Sequence, residues 1–227
     1  MADVNPIQDL RFKEIMKRVI PASYFLVLLY SVKTILHCQC WSFVPKVGIV
    51  LATLSSNIFY SLLALVVVYV IGFCINTLAS EVERFLYRCK IISRPSKKVL
   101  GKKRRLKRDD VAKIVSASKV KVPDVDAICQ EQAKKILYFA KDNISRRDNI
   151  VEDFYYHSIM ARNLFVAHLL FVVSLLFFQG IIEKIASNWF LFIVLTLLAI
   201  CIYNEWIRKN KLYVHNVFVE YLKEQKK

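Results

Sequence analysis

The 227-residue chain is 56% hydrophobic, yet it carries 34 Lys and Arg against 18 Asp and Glu, a net charge of +16. High hydrophobicity and high charge seldom share one soluble core, so the two must be segregated along the sequence. The four glycines, Gly48, Gly72, Gly101 and Gly180, never fall into G-x-G-x-x-G or G-x-x-x-x-G-K spacing, which excludes P-loop and dinucleotide-binding turns.

The chain opens with a polar segment, residues 1–18, that contains Arg11, Lys13, Lys17 and Arg18. It does not read as a cleavable signal, and Ala at position two excludes N-myristoylation. Apolar stretches follow that approach the roughly 20 residues a helix needs to cross a bilayer. The first is Ile20 to Leu36, with Lys33 placed near its end, where its stem reaches the headgroups. His37-Cys38-Gln39-Cys40-Trp41 comes next. It has the look of half a metal or redox site, but a structural zinc site wants four ligands and no second pair follows, so no metal and no cofactor are predicted. The second stretch, Ile58 to Leu78, is free of charge and continues as apparent helix through Ser80-EVERFLYRCKII to Ser93 and Pro95. Residues 19–79 are thus read as transmembrane helices 1 and 2.

Residues 80–162 are read as a basic cytoplasmic helical region, holding 21 of the 34 basic residues. Its densest part is Arg94, Lys97, Lys98, Lys102, Lys103, Arg104, Arg105, Lys107 and Arg108. Beside a membrane helix such a cluster points first to anionic lipid, at about 1 kcal/mol per basic residue near the surface. A protein or nucleic-acid partner is the sharper option, but no aromatic residue lies between Arg94 and Lys121 to stack on a base. Asp109-Asp110 then starts a short helix, Val111 to Ala117. From Asp124 to Gln179 there are 56 residues without Gly or Pro, and the simplest expectation is one continuous helix with an apolar stripe through Val125, Ile128, Cys129, Ile136, Phe139, Ala140, Ile144, Ile150, Val151 and Phe154.

Residues 163–206 are read as transmembrane helices 3 and 4, Leu164 to Ile182 and the shorter Trp189 to Tyr203, flanked by Trp189 and Trp206. The tail, 207–227, carries a second apolar stripe at Val214, Val217, Phe218, Tyr221 and Leu222 and is expected to pack against the cytoplasmic helices. Lys and Arg in the three basic regions put both termini and the middle on the cytoplasmic side, leaving only Lys33, Lys46 and Lys184 in spans or outside. Asn143-Ile144-Ser145 is then a glycosylation pattern on the wrong side of the membrane. Polar residues inside apolar stretches, Lys33, Asn57, Asn76, His168 and Gln179, are the candidates for helix-to-helix contacts or a pathway.

Arg162-Asn163 followed by His168 makes an R-N-x4-H run that resembles the catalytic motif of HEPN ribonucleases, all-helical domains that join the Arg and His of two protomers. The resemblance implies metal-independent RNA cleavage, with His168 as acid and base and Arg162 and Asn163 at the phosphate. The competing reading makes Arg162 an interfacial snorkelling cation and His168 a helix-to-helix hydrogen-bonding or pore-lining residue. The layout as a whole is similar to small multi-pass membrane accessory proteins of bacterial antiviral, CRISPR-associated loci, which implies oligomerisation and membrane depolarisation.

The sequence therefore predicts an all-α integral membrane protein with four transmembrane helices and a cytoplasmic helical-hairpin extension. It is read as a homo-oligomeric effector or pore gated through its basic region and contacting anionic lipids. A membrane-tethered HEPN-like ribonuclease and a non-catalytic scaffold or adaptor that recruits a soluble partner are the alternatives. Enzymatic activity is the less expected of these outcomes.

Overall fold

The computed structural model describes residues 6–36, 58–101, 106–144, 149–177 and 189–226. Among these, the regular structure is α-helical apart from one 3-10 turn. The helices are α1 (Pro6–Leu36), α2 (Ile58–Arg88), α3 (Pro95–Leu100), α4 (Arg108–Ala117), α5 (Gln130–Asp142), α6 (Asn149–Phe177) and α7 (Trp189–Glu224), with the turn at Val125–Ala127. The chain divides into two compact units, Met1–Val82 with Ile159–Asn204, and Glu83–Ser158 with Glu205–Lys227.

In the first unit small residues let helices approach. Ala22 of α1, Ile75 of α2 and Ala167 of α6 form a buried cluster, with Tyr24, Phe25, Val68, Ile71 and Leu170 packed around it. Phe171 and Leu175 of α6 meet Leu195 of α7 and the α1 residues Phe25, Leu28 and Leu29 in a second. Gly72 lies so close to the backbone of Arg18 that a Cβ at this position would overlap the Arg18 carbonyl. This is how Gly and Ala serve helix pairs where tight van der Waals contact drives association. Other apolar side chains of α2 face outward: Leu62, Leu63, Leu65, Val66, Val67, Val70 and Phe73 are each at least half exposed. Two helical stretches, Ser61–Arg88 and Val151–Leu175, are long and apolar enough to cross a membrane.

In the second unit local capping sets the helix ends. Lys90 turns into the left-handed region, φ 57°, and the Ile91 N–H donates back to the Leu86 carbonyl at 3.1 Å, which stops α2. Pro95 occupies the first turn of α3, and Asp109 and Asp110 lie in the first turn of α4, where carboxylates suit the helix dipole. Val99 and Leu100, Val111 and Ile114, Ile136 and Ala140, and Val214, Val217 and Phe218 from four different helices close one core. The tail stripe is thus the buried face of α7, a single 36-residue helix that begins at Trp189.

The expectation of one unbroken helix from Asp124 to Gln179 is overturned. The Asp124 carboxylate accepts from the Asp126 N–H at 3.0 Å and builds the separate 3-10 turn. Cys129 then restarts the helix through a capping box with Gln132, whose Oε1 accepts from the Cys129 N–H at 2.9 Å. At the far end Asn143 Nδ2 donates to the Phe139 carbonyl at 2.8 Å, the same oxygen that takes the Asn143 N–H. Short Asp and Asn side chains thus offer the backbone local bonds that compete with the helix, and they interrupt it without Gly or Pro.

Candidate functional site

The sequence singles out Arg162, Asn163, His168 and Asn76, and the structure connects three of the four. Asn76 Oδ1 on α2 accepts from Arg162 Nη2 and from Asn163 Nδ2, each at 3.1 Å. Asn163 is fully buried and its Nδ2 also donates to the Lys17 carbonyl on α1, at 3.1 Å. That carbonyl needs a foreign donor because of Pro21. A helical carbonyl normally accepts from the N–H four residues later, and proline has none. Away from water an orphaned backbone carbonyl costs several kcal/mol, on the order of what drives helices to pair their polar groups. Asn163 therefore fills the gap that Pro21 opens. Pro21 stands four residues after Lys17 in a long apolar approach, and that spacing was the readable signal for this contact.

His168 belongs to a different group of contacts. It lies five residues beyond Asn163, roughly 7.5 Å along the helix axis and well round from it. Its Nδ1 is 2.8 Å from the Tyr24 hydroxyl, its ring stacks on Tyr24 with centroids 6.2 Å apart, and Phe171 lies against it at 6.3 Å. With no solvent exposure, His168 sits among α1 and α6 aromatic rings. Within one chain the Arg and His of the R-N-x4-H run thus do not converge on a common point. Nearby, Arg18 reaches from α1 to α2: its guanidinium bonds the Tyr69 hydroxyl and lies over the Tyr69 and Phe73 rings at 5.1 and 5.4 Å. Lys17 is held by Glu14 one turn back.

The other intramembrane candidates divide. Lys33 is part of α1, with its side chain outside the described residues, and Asn57 and Gln179 lie outside them altogether, as does the His37 to Trp41 run.

In the second unit the described residues of the basic cluster do not all face one surface. Arg94 is tied down, its guanidinium over the Tyr87 ring at 5.2 Å and 3.7 Å from Glu131. Arg108 pairs with Asp126 at 3.6 Å, and Lys107 is the exposed residue that precedes α4. Lys97 and Lys98 instead line a cavity of about 710 Å³, shared with Ser93, Asp126, Ile128, Cys129 and, from α7, Lys211. The Lys98 ammonium is held below its ordinary lysine value, first by partial burial and then by the like charge of Lys211. Lys102, Lys103, Arg104 and Arg105 lie outside the described residues. Sequence reasoning missed Lys211 and Ser93, since neither belongs to the densest basic run. No group of three or more His, Cys, Asp or Glu is placed to hold a metal ion among the described residues.

These features define an all-helical protein with two helices capable of crossing a membrane, a polar seam between them and α1, and a separate basic helical unit. No protein-family model, curated protein or solved structure matches the chain.

Proposed function

We propose that the protein is a four-span integral membrane protein, both termini cytoplasmic, that acts as a non-catalytic oligomeric effector controlled through its basic unit. The observation that carries this reading is the division of side chains on α2. Asn76 points into a hydrogen-bonded seam while Leu62, Leu63, Leu65, Val66, Val67, Val70 and Phe73 stand at least half exposed, an arrangement suited to lipid or to another copy of the chain. Trp189, Phe190, Phe192, Leu197 and Ile200 on α7 are also half or more exposed, which supports the fourth span. The positive charge of the three non-spanning regions supports the orientation.

The geometry favours a structural role for Arg162, Asn163 and His168 over an RNA-cleaving one. Asn163 and His168 are fully buried, and the hydrogen bonds of Asn163 and Arg162 serve the helix seam. The stoichiometry of the detergent-extracted protein, with membrane potential followed by a dye during induced expression, tests the proposal. A discrete oligomer with loss of potential is expected; a monomer with intact potential under every trigger would refute it.

A further inference from the structure

The cavity of the second unit gathers three lysines against a single carboxylate, Asp126, among its described lining residues. Lys97 and Lys98 come from α3 and Lys211 from α7, more than a hundred residues away, so tertiary folding and not a local run brings them together. None of the three pairs with a carboxylate among the described residues, while the basic residues around them, Arg94 and Arg108, do. Asp126, the carboxylate among the described lining residues, is already opposite Arg108 at 3.6 Å. Like charges converging on a hollow repel one another, and an anion seated among them relieves that repulsion.

Size and lining narrow the anion. About 710 Å³ falls within the range of roughly 300 to 1,000 Å³ typical of small-molecule sites and is far more than one phosphate ion fills. Val99 and Ile128 give the wall an apolar part that covers a carbon framework, and Ser93 adds a hydroxyl suited to a phosphate oxygen. Each phosphate monoester carries about −1.5 to −2 charges at neutral pH, so two such groups match three lysines. We propose that this cavity binds an organic phosphate bearing at least two phosphate groups on a compact carbon framework, supplied either as a lipid headgroup or as a free solute. The cavity lies wholly within the second unit, so the site stands apart from the number of membrane spans and from any pore.

The test uses the full-length protein in detergent micelles, with inositol hexakisphosphate as the soluble probe in titration calorimetry. Binding is expected, and Lys98→Glu and Lys211→Glu should each weaken it about tenfold or more, as loss of one bond to a charged group does. Lys113→Glu, on an exposed position of α4 outside the cavity, should leave affinity unchanged. A second readout keeps the pocket lysines native. In protein whose other five cysteines are replaced by serine, saturating probe should slow alkylation of Cys129, an exposed thiol on the cavity wall. Vesicles containing phosphatidylinositol bisphosphate that displace the probe, where phosphatidylserine vesicles of equal charge do not, would support a lipid headgroup; failure of both to displace it would support a free solute. An absence of probe binding, equal losses with Lys113→Glu, or unprotected Cys129 would overturn the proposal.

Discussion

Asn163→Leu in two backgrounds tests whether the polar seam exists to repair the backbone at Pro21. The substitution removes the bonds from Nδ2 to the Lys17 carbonyl and to Asn76 Oδ1, both 3.1 Å long. Helix-to-helix hydrogen bonds in membranes average about 0.6 kcal/mol and reach about 1.7, so the two bonds together contribute on the order of 1 to 3 kcal/mol. The Lys17 carbonyl, left unpaired beside the fully buried Asn163, adds a desolvation cost of about 1 kcal/mol or more. Asn163→Leu should therefore lower stability by about 2 to 4 kcal/mol. In a Pro21→Ala background the new N–H at position 21 reaches the Lys17 carbonyl by ordinary helix geometry. The cost of Asn163→Leu should then shrink by about 1 kcal/mol, a coupling that a double-mutant cycle resolves because independent sites add within about 0.3 to 0.5. Reversible unfolding in bicelles, read by tryptophan fluorescence, gives all four corners. Equal costs of Asn163→Leu in the two backgrounds would refute the repair argument, even if the single substitution proved severe.

Gly72→Leu should separate α1 from α2, because even a Cβ overlaps the Arg18 carbonyl; a loss of several degrees in melting temperature in detergent is expected, and an unchanged value would refute the close packing. Lys90→Gly and Lys119→Gly should each stabilise the protein by about 0.5 to 1 kcal/mol in chemical unfolding, since both lysines sit at positive φ, 57° and 54°. Lys98→Met should change the alkaline stability profile. The folded state holds Lys98 below the ordinary value of 10.5, so it sheds this proton before the unfolded chain does. Stability referable to Lys98 consequently rises with pH from the folded-state value up to 10.5, and it is lowest at neutral pH where both states are protonated. Removing the charge should raise the melting temperature slightly at neutral pH, and the gap to the native protein should close as pH approaches 10.5; a constant gap would contradict the assignment. The effect is small because Lys98 is largely exposed and screened.

Helical content was legible because apolar periodicity and charge-free length act locally. The run from Ile58 forms the expected helix but stops at Arg88, about a turn before the expected end at Ser93, and the tail stripe at Val214, Val217, Phe218 and Tyr221 is buried as expected. The helix interruption at Asn143 is not legible in the sequence by the same rule, since the absence of Gly and Pro predicts continuity. An Asn side chain that bonds the Phe139 carbonyl is an equally physical stop, but its choice depends on whether the next turn gains more from packing elsewhere. In the polar seam, Asn76 is legible as a polar residue in apolar sequence, and Arg162 and Asn163 through the R-N-x4-H run, while their convergence is not. That convergence requires α1, α2 and α6 to meet at one depth, which sequence spacing within a single helix does not specify. The R-N-x4-H pattern points to Arg162 and Asn163 by a chemical analogy, whereas Pro21 supplies the local physical reason for the buried Asn.

The basic middle shows the same distinction between composition and site. Nine basic residues crowd Arg94 to Arg108, and composition alone treats them as one anionic-surface patch. Folding gives the described members of this cluster different work. Arg94 braces Tyr87 and Glu131, Arg108 meets Asp126, and Lys97 and Lys98 turn to a cavity completed by Lys211. A generic electrostatic surface would lose membrane or anion affinity in proportion to the charges removed, whichever lysines were chosen. A built cavity makes the loss depend on position, so that Lys211, outside the dense cluster, matters more than a lysine such as Lys113 that lies much closer to it in sequence. The total charge of +16 is therefore compatible with both orientation and recognition, and position-dependent loss of anion binding is the property that separates them.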